Sequence, residues 1–467
     1  MEAFLHPLQG LAEFEEIKKR CGANCGILNV SGCMESQKVH LMYGLSGLFP
    51  YHLILADDER NAKEIYEDYR FYDKNVYFYP AKDLLFFQAD IHGNLLIRQR
   101  MRVIRALLEQ EEVTVVTSID GCMDFLMPLE KIKSSLLHFK SDSVIDLDQL
   151  KADLVDLGYE RVGQVELPGQ FSVRGGIIDI YPLTEENPWR IELWNDEIDS
   201  IRSFDAESQR SLENIDEITI YPATEKMDCE DMVSFLDYFP EEKTLLFLEE
   251  LNHLAENGEG VEEEYRQSRM HREEKGEANL PEQWLCGFQE VQKKLNRRNC
   301  VAVSALSPRR SGWKINEEFD LTVKSVDSYN SSFELLVKDL LQYKSQGYRI
   351  ALLSGSRTRA ERLAKDLSEE GLNAFYSQDT DRIISPGEIM VVYGHARRGF
   401  QYPLIKFAVM TETDIFGKEQ KKRKKKKKYS GNRIQDFAEL SIGDLVVHEK
   451  HGLGIYRGIE KVEVDRV

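Results

Sequence analysis

Apolar and polar positions recur along this chain with two different periods. Near the N-terminus Leu8, Leu11, Phe14 and Ile17 follow helical spacing, which predicts one amphipathic helix over residues 1–20. Short apolar runs at 25–30, 51–56, 75–79 and 113–117 then read as strands, with helices from 37 onward, at 58–70 and at 98–109. The last helix is basic and turns Ile97, Met101, Ile104 and Leu108 to the core. This alternation predicts a parallel α/β sheet. The rhythm returns with strands at 245–248 and 301–304, and the acidic helical stretch between them, 249–297, reads as a solvated insertion. A further α/β unit opens near Ser331, with helices at 333–346 and 358–370 and strands at 349–353, 389–393 and 407–411.

The period changes to two over Val165–Asp205. Phe171–Val173 and Ile177–Tyr181 are β-rich runs around Gly175-Gly176, and Pro182 closes the second. Trp189-Arg190-Ile191-Glu192-Leu193-Trp194 alternates cleanly, so Trp189, Ile191 and Leu193 share one face and Arg190, Glu192 and Trp194 the other. Asn195-Asp196 is turn chemistry, and 197–204 returns with Ile198 and Ile201 as apolar positions. A polar face carrying both Trp and Arg has the residue types enriched at binding hot spots. The plainer alternative is an amphipathic hairpin whose outer Trp is half covered by a loop.

Composition narrows the function classes. The chain has 467 residues, 42% hydrophobic and 30% charged, enough for several domains with real cores. Its net charge of −20 argues against a generally basic nucleic-acid-binding body. Residues 418–428 invert this locally: nine Lys/Arg against one Glu give +8, leaving −28 for the rest. That lysine run, Lys418–Lys428, reads either as a phosphate-backbone contact or as a solvated linker. No segment approaches the roughly 18 uninterrupted apolar residues of a membrane span, and the first 20 residues lack signal-peptide layout. The seven cysteines are scattered, without zinc-site spacing, and read as reduced thiols of a cytoplasmic protein.

Two stretches have the outline of a chemical site. Strand 25–30, the loop from Ser31 and the helix after it have the layout of a phosphate loop, with Gly32 in the turn. The chemistry is missing, because Met34-Glu35-Ser36 stands where Gly-Lys-Ser/Thr is needed and a glutamate would repel triphosphate. Ser354-Gly355-Ser356-Arg357 could hold an anion at a helix N-terminus, but reads first as a helix cap. Near the C-terminus, 442–459 reads as two short strands around a Gly-rich turn, opening a small β-barrel. His448 and His451 there have no third ligand nearby and read as turn packing.

Three stretches carry a resemblance to a known family. GQFSVRGGIIDIYPL…NPWRIELWNDEIDSIRSFDAESQRS resembles the domain that bacterial transcription-repair coupling factors (Mfd) share with the excision-repair protein UvrB, and VTVVTSIDGCMD resembles the strand and loop preceding it. IGDLVVHEKHGLGIYRGI is similar to the start of their CarD-like RNA-polymerase-interacting domain. The resemblance implies an α/β multidomain chain. A parallel, helicase-lobe-like domain (1–125 and 222–330) is interrupted by a small α+β UvrA-binding domain (126–221). A second small α/β domain (331–412), a basic linker (413–438) and a truncated CarD-like domain (439–467), which begins a small β-barrel and is expected to be poorly packed, follow. It implies UvrA contacts at Arg174, Arg190 and Trp194, where the family often has Phe at the last position. It also implies that the phosphate loop Gly32, Met34, Glu35, Ser36 has lost ATP binding. The implied partners are UvrA and the RNA polymerase β subunit, the latter through the incomplete C-terminal domain. DNA is bound weakly or through the motor, and no membrane is involved. ATP and magnesium belong to a motor that the family carries beyond residue 467, so no cofactor, catalytic residue or metal site is expected here. The competing readings are a UvrB-like ATPase or helicase lobe and a lysine-rich nucleic-acid-binding module.

Overall fold

The computed structural model describes residues 1–22, 25–82, 93–225, 231–274, 285–308, 312–417, 445–448 and 452–455. The described residues through 417 form one unit, and the short hairpin near the C-terminus belongs to a second. The N-terminal stretch is two helices, α1 (Glu2–Leu8) and α2 (Ala12–Cys21), rather than the single expected one. Gly10 interrupts them where an added Cβ would lie 3.1 Å from Ile405 Cγ2, and Leu11 is extended (φ −91, ψ 118). Leu8, Leu11, Phe14 and Ile17 are nevertheless all buried.

The chain then runs β1 (Ile27–Ser31), α3 (Glu35–Ser46), β2 (Tyr51–Ala56), α4 (Glu59–Tyr72), β3 (Val76–Tyr79), α5 (Gly93–Glu109) and β4 (Val113–Ser118). From there it leaves the sheet through α6 (Ile119–Cys122), β5 (Phe125–Leu126), α7 (Leu129–Ser135), β6 (Leu137–Lys140), α8 (Leu147–Asp156) and β7 (Glu160–Arg161). β8 (Gln170–Arg174), β9 (Ile177–Ile180), β10 (Trp189–Trp194), β11 (Glu197–Phe204), β12 (Ser211–Asn214), β13 (Glu217–Ile220) and β14 (Val233–Ser234) follow. It returns as β15 (Thr244–Glu249), α9 (Leu251–Glu274), α10 (Phe288–Leu295), β16 (Cys300–Val303) and β17 (Ile315–Asp320).

The parent sheet has the order β17-β1-β16-β15-β2-β4-β3, and its ladders are parallel. β1, β4, β15 and β16 are buried along their whole length, as strands covered on both faces must be. The acidic stretch after β15 is not a solvated insertion. α9 and α10 are the crossover between the adjacent parallel strands β15 and β16, and they bury Leu251, Leu254, Phe288, Val291 and Leu295.

The segment between β4 and β15 builds its own sheet, β12-β11-β10-β9-β8-β7, with two short ladders, β13-β6 and β14-β5, beside it. Arg100 on α5 pins both of its ends. The guanidinium is fully buried, pairs with Asp124 on the way out (2.6 Å) and with Glu225 on the way back. It also donates to Pro80 O (2.8 Å) and lies 4.2 Å over the Tyr79 ring, which stacks on Phe235 at 3.9 Å.

A second α/β sheet follows: β18 (Lys324–Ser325), α11 (Phe333–Ser345), β19 (Arg349–Ser354), α12 (Arg357–Glu369), β20 (Asn373–Tyr376), β21 (Glu388–Tyr393), β22 (Phe400–Tyr402), β23 (Phe407–Thr411) and α13 (Glu412–Phe416). Its order is β18-β22-β23-β19-β21-β20. Met390, Val392, Phe400, Tyr402 and Val409 join one continuous core with Phe4, Leu8, Val39 and Leu41. In the second unit β24 (Leu445–His448) pairs antiparallel with β25 (Gly452–Ile455), the ladder read from the sequence. His451, the lysine run and the rest of 418–444 and 456–467 lie outside the described residues, as does most of the segment expected to pack poorly.

Two buried histidines make the core pH-sensitive. His40 lies between Phe4 O (2.9 Å from Nε2) and the Tyr402 hydroxyl (3.1 Å from Nδ1); His52 lies between Ser46 O (2.7 Å) and Thr114 Oγ1 (3.1 Å). Burial lowers each from 6.5 to about 4. The unfolded chain therefore takes up these protons first, and stability is lost as pH falls from 6.5 toward 4, by on the order of 3 kcal/mol for each ring once the fall is complete. Urea midpoints at pH 7 and pH 4.5 should show this loss, and His40→Gln should show a smaller one. An equal loss in both proteins would count against His40.

Candidate functional site

The register of the inserted sheet decides which side chains share a face. Across β8, β9, β10 and β11 the rows are Ser172–Asp179–Arg190–Arg202 and Arg174–Ile177–Glu192–Ser200. The alternate residues Phe171, Ile178, Ile180, Trp189, Ile191, Ile198 and Ile201 are buried. The β10–β11 register shifts after Glu192, leaving Asp199 as the extra residue on β11. The alternation of β10 is undisturbed, so Trp194 stays on the face of Arg190 and Glu192. Asn195 takes φ 55 in the two-residue turn that follows.

Arg174, Arg190 and Trp194 thus lie on one face, but they are not equally free. Asp179 is fully buried between the two arginines. It accepts from Arg174 Nη2 (2.7 Å) and takes Arg190 bidentately through Nε (2.7 Å) and Nη2 (2.9 Å). Arg190 also donates to Gln209 Oε1 (3.1 Å), and its guanidinium sits 4.4 Å over the Phe204 ring. Only 15% of its side chain is exposed, against 48% for Arg174. The Asp179 hydrogen bonds push Arg190 above the usual arginine value, so its charge is permanent. The outward-facing Arg190 read from strand alternation is therefore mostly enclosed. Trp194 is 76% exposed. On the same face Arg202 pairs with Glu192, which also accepts from Ser200 Oγ (3.3 Å). Sequence reasoning passed over Asp179. Its signal was an acid inside Ile177-Ile178-Asp179-Ile180, at the parity of Arg190 once the register is known.

The loop after β1 is chemically spent. A phosphate loop works through free backbone N–H groups. Here Gly32 N–H donates to Ala305 O (3.3 Å), Cys33 N–H to Ser304 O (3.1 Å) and Met34 N–H to Gln37 Oε1 (3.0 Å). Gly32 takes φ 77, and a Cβ there would meet Leu321 O at 2.1 Å. Ser36 Oγ donates to Asp68 (2.6 Å) and accepts from Arg398 N (3.0 Å), on the loop after β21; Arg397 N donates to Asp68 as well (2.9 Å). Glu35 faces Arg398 at 3.7 Å. The nearest lysine, Lys38, is buried against Glu249 (2.8 Å) and Glu250 (2.7 Å) at the end of β15. Burial nonetheless raises the Glu249 carboxyl.

Elsewhere Ser356 Oγ caps α12 by accepting from Arg359 N (3.2 Å), while Ser354 and Arg359 both engage Glu412. That stretch is a helix cap. Among the described residues no group of three or more His, Cys, Asp or Glu could hold a metal ion, and no helix is long and apolar enough to cross a membrane.

Residues 137–225 match the UvrB interaction domain, and residues 440–467 match the CarD-like/TRCF RID domain. The whole face just described lies in the first match. The chain resembles the N-terminal region of a transcription-repair-coupling factor. It is 28% identical to the transcription-repair-coupling factor of Bacillus subtilis, over 94% of this chain and 43% of that protein. It is 26% identical to the one from Staphylococcus aureus strain MRSA252, over 84% of this chain and 38% of that protein. It therefore spans less than half the length of these curated relatives.

Removing Lys38 takes the cation away from the buried Glu249 and the half-buried Glu250, which keep the Asn61 amide and the Ala305 N–H as neutral partners. Lys38→Met should cost about 3–5 kcal/mol, the range for breaking a buried ion pair from one side. The Lys38→Met, Glu249→Gln, Glu250→Gln triple variant should recover most of it. Equal urea midpoints for parent and single variant would overturn this account.

Proposed function

We propose that this chain is the recruitment region of a transcription-repair-coupling factor, binding UvrA and so linking stalled RNA polymerase to nucleotide excision repair. One observation carries the reading: within the segment matching the UvrB interaction domain, a single sheet face holds the uncovered Trp194, the half-exposed Arg174 and the mostly enclosed Arg190. A flat indole and a guanidinium suit a partner surface that offers an apolar patch and a carboxylate. In this reading 1–125 and 222–330 are one helicase-lobe-like domain, and 126–221 is the UvrA-binding insert. Residues 331–412 form a separate α/β domain braced on it, and 413–438 a basic linker. Residues 439–467 belong to the element that meets RNA polymerase, through its β subunit. ATP, magnesium and translocation on DNA are assigned to the remainder of a longer protein, in the cytoplasm.

Titration of the chain with purified UvrA tests this. Trp194→Ala and Arg174→Ala should each lose on the order of 2 kcal/mol, about thirtyfold in Kd. Arg190→Ala should weaken binding and also lower the melting temperature, because it leaves Asp179 with one partner. UvrA binding unchanged in all three variants would sink the assignment.

The rival ATPase or helicase reading is opposed by the spent N–H donors of Gly32, Cys33 and Met34. Titration with Mg-ATP should give no saturable binding; hydrolysis that disappears in Ser36→Ala would revive that reading. The nucleic-acid reading rests on Lys418–Lys428, outside the described residues, and ranks third.

A further inference from the structure

The proposed UvrA face does not end at β11. Asp142 takes φ 68 after β6, and the following residues run antiparallel beside the start of β11. Ile198 N–H donates to Ser143 O (2.8 Å) and Ile145 N–H to Asp196 O (2.7 Å). Val144 and Glu197 are thereby a non-hydrogen-bonded pair, the kind whose side chains stand closest on a shared face. Glu197 in turn lies opposite Trp194 across the β10–β11 turn. The result is a third row, Trp194–Glu197–Val144, next to the row of Arg174 and Glu192. Val144 is 77% exposed and Trp194 76%. Two strand spacings separate their backbones, about 10 Å.

Single exposed apolar residues need no explanation. Here two of the most exposed large apolar side chains among the described residues stand in one cross-strand row, on the face that carries Arg174. The row is held by three backbone hydrogen bonds, the Ile198 and Ile145 bonds above and Asp142 N–H to Ile198 O (3.0 Å). Both side chains flank the carboxylate of Glu197.

Resting on the reading above, we propose that Val144 is a further UvrA-contacting residue and that the partner surface is tripartite. It offers an apolar patch spanning Trp194 and Val144, a hydrogen-bond donor or cation opposite Glu197, and a carboxylate opposite Arg174. The apolar contact supplies affinity, and the alternating charges set the register of the two surfaces.

The test is titration of the full chain and its variants with purified UvrA, with melting curves on each. Val144→Ala should weaken binding about fivefold and Val144→Asp at least twentyfold, both with unchanged melting. Leu404→Asp, on the turn after β22 and 65% exposed, should bind like the parent. Parent-like binding by Val144→Asp while Trp194→Ala binds weakly would overturn this proposal and leave the UvrA reading standing. Parent-like binding by both overturns the proposal, and if Arg174→Ala and Arg190→Ala also bind like the parent, the reading itself falls. If Val144→Asp melts early, Val144→Ala decides alone: parent-like affinity overturns the proposal.

Discussion

Everything that the inserted sheet can do depends on how it is tethered, which is by an apolar core shared with the parent sheet and, at the joint itself, by one buried guanidinium. Arg100 reaches Asp124 where the chain leaves the parent sheet and Glu225 where it comes back. A buried ion pair is a weak source of net stability, because desolvation offsets much of the Coulomb gain. Its value here is geometric. Two carboxylates far apart in sequence can both be satisfied only if both stems converge on α5. The Tyr79 ring packs under the guanidinium and is itself stacked on Phe235. The insert is thus carried as a fixed appendage of the parallel sheet.

In the parallel parent sheet the strand–loop–helix layout after β1 remains while the loop's polar groups are turned inward. Donors that would face phosphate donate to protein carbonyls, Lys38 answers two glutamates, and Ser36 joins Asp68 in holding the loop after β21. The second α/β sheet contributes to this directly, since Arg397 and Arg398 present their backbone N–H groups to Asp68 and Ser36. Its Tyr402 hydroxyl accepts from Gln37. The Gly32, Cys33 and Met34 donors are engaged on one sheet, whereas Trp194 and half of Arg174 stay uncovered on one face of the other.

On that face the buried carboxylate of Asp179 sorts two similar arginines into different roles. Taking Arg190 bidentately fixes it over Phe204 and leaves little of it exposed, whereas Arg174 is held by one hydrogen bond and keeps about half its surface in solvent. One acid neutralises one guanidinium, so the cluster keeps a net positive charge, displayed mainly through Arg174. Preorganising that side chain reduces the entropy lost when a partner orders it.

Periodicity alone determined much of this protein: the parallel α/β rhythm, the β10–β11 hairpin, and the shared parity of Arg190, Glu192 and Trp194. These follow from local rules, a helical or twofold spacing that each segment obeys by itself. The missing phosphate chemistry was equally legible, because Met34-Glu35-Ser36 is a matter of residue type. Tertiary structure decided the rest. The strand Ile315–Asp320 half-buries only alternate residues at a sheet edge, so its charged sequence hid it. The acidic helix after β15 proved to be a crossover, since burial of Leu251 and Leu254 depends on strand order. Arg190 is enclosed by Asp179 and Gln209, from different strands and loops, and Val144 reaches the face only by pairing with Glu197 far along the chain. Such facts belong to register between distant segments, which no single stretch of sequence encodes.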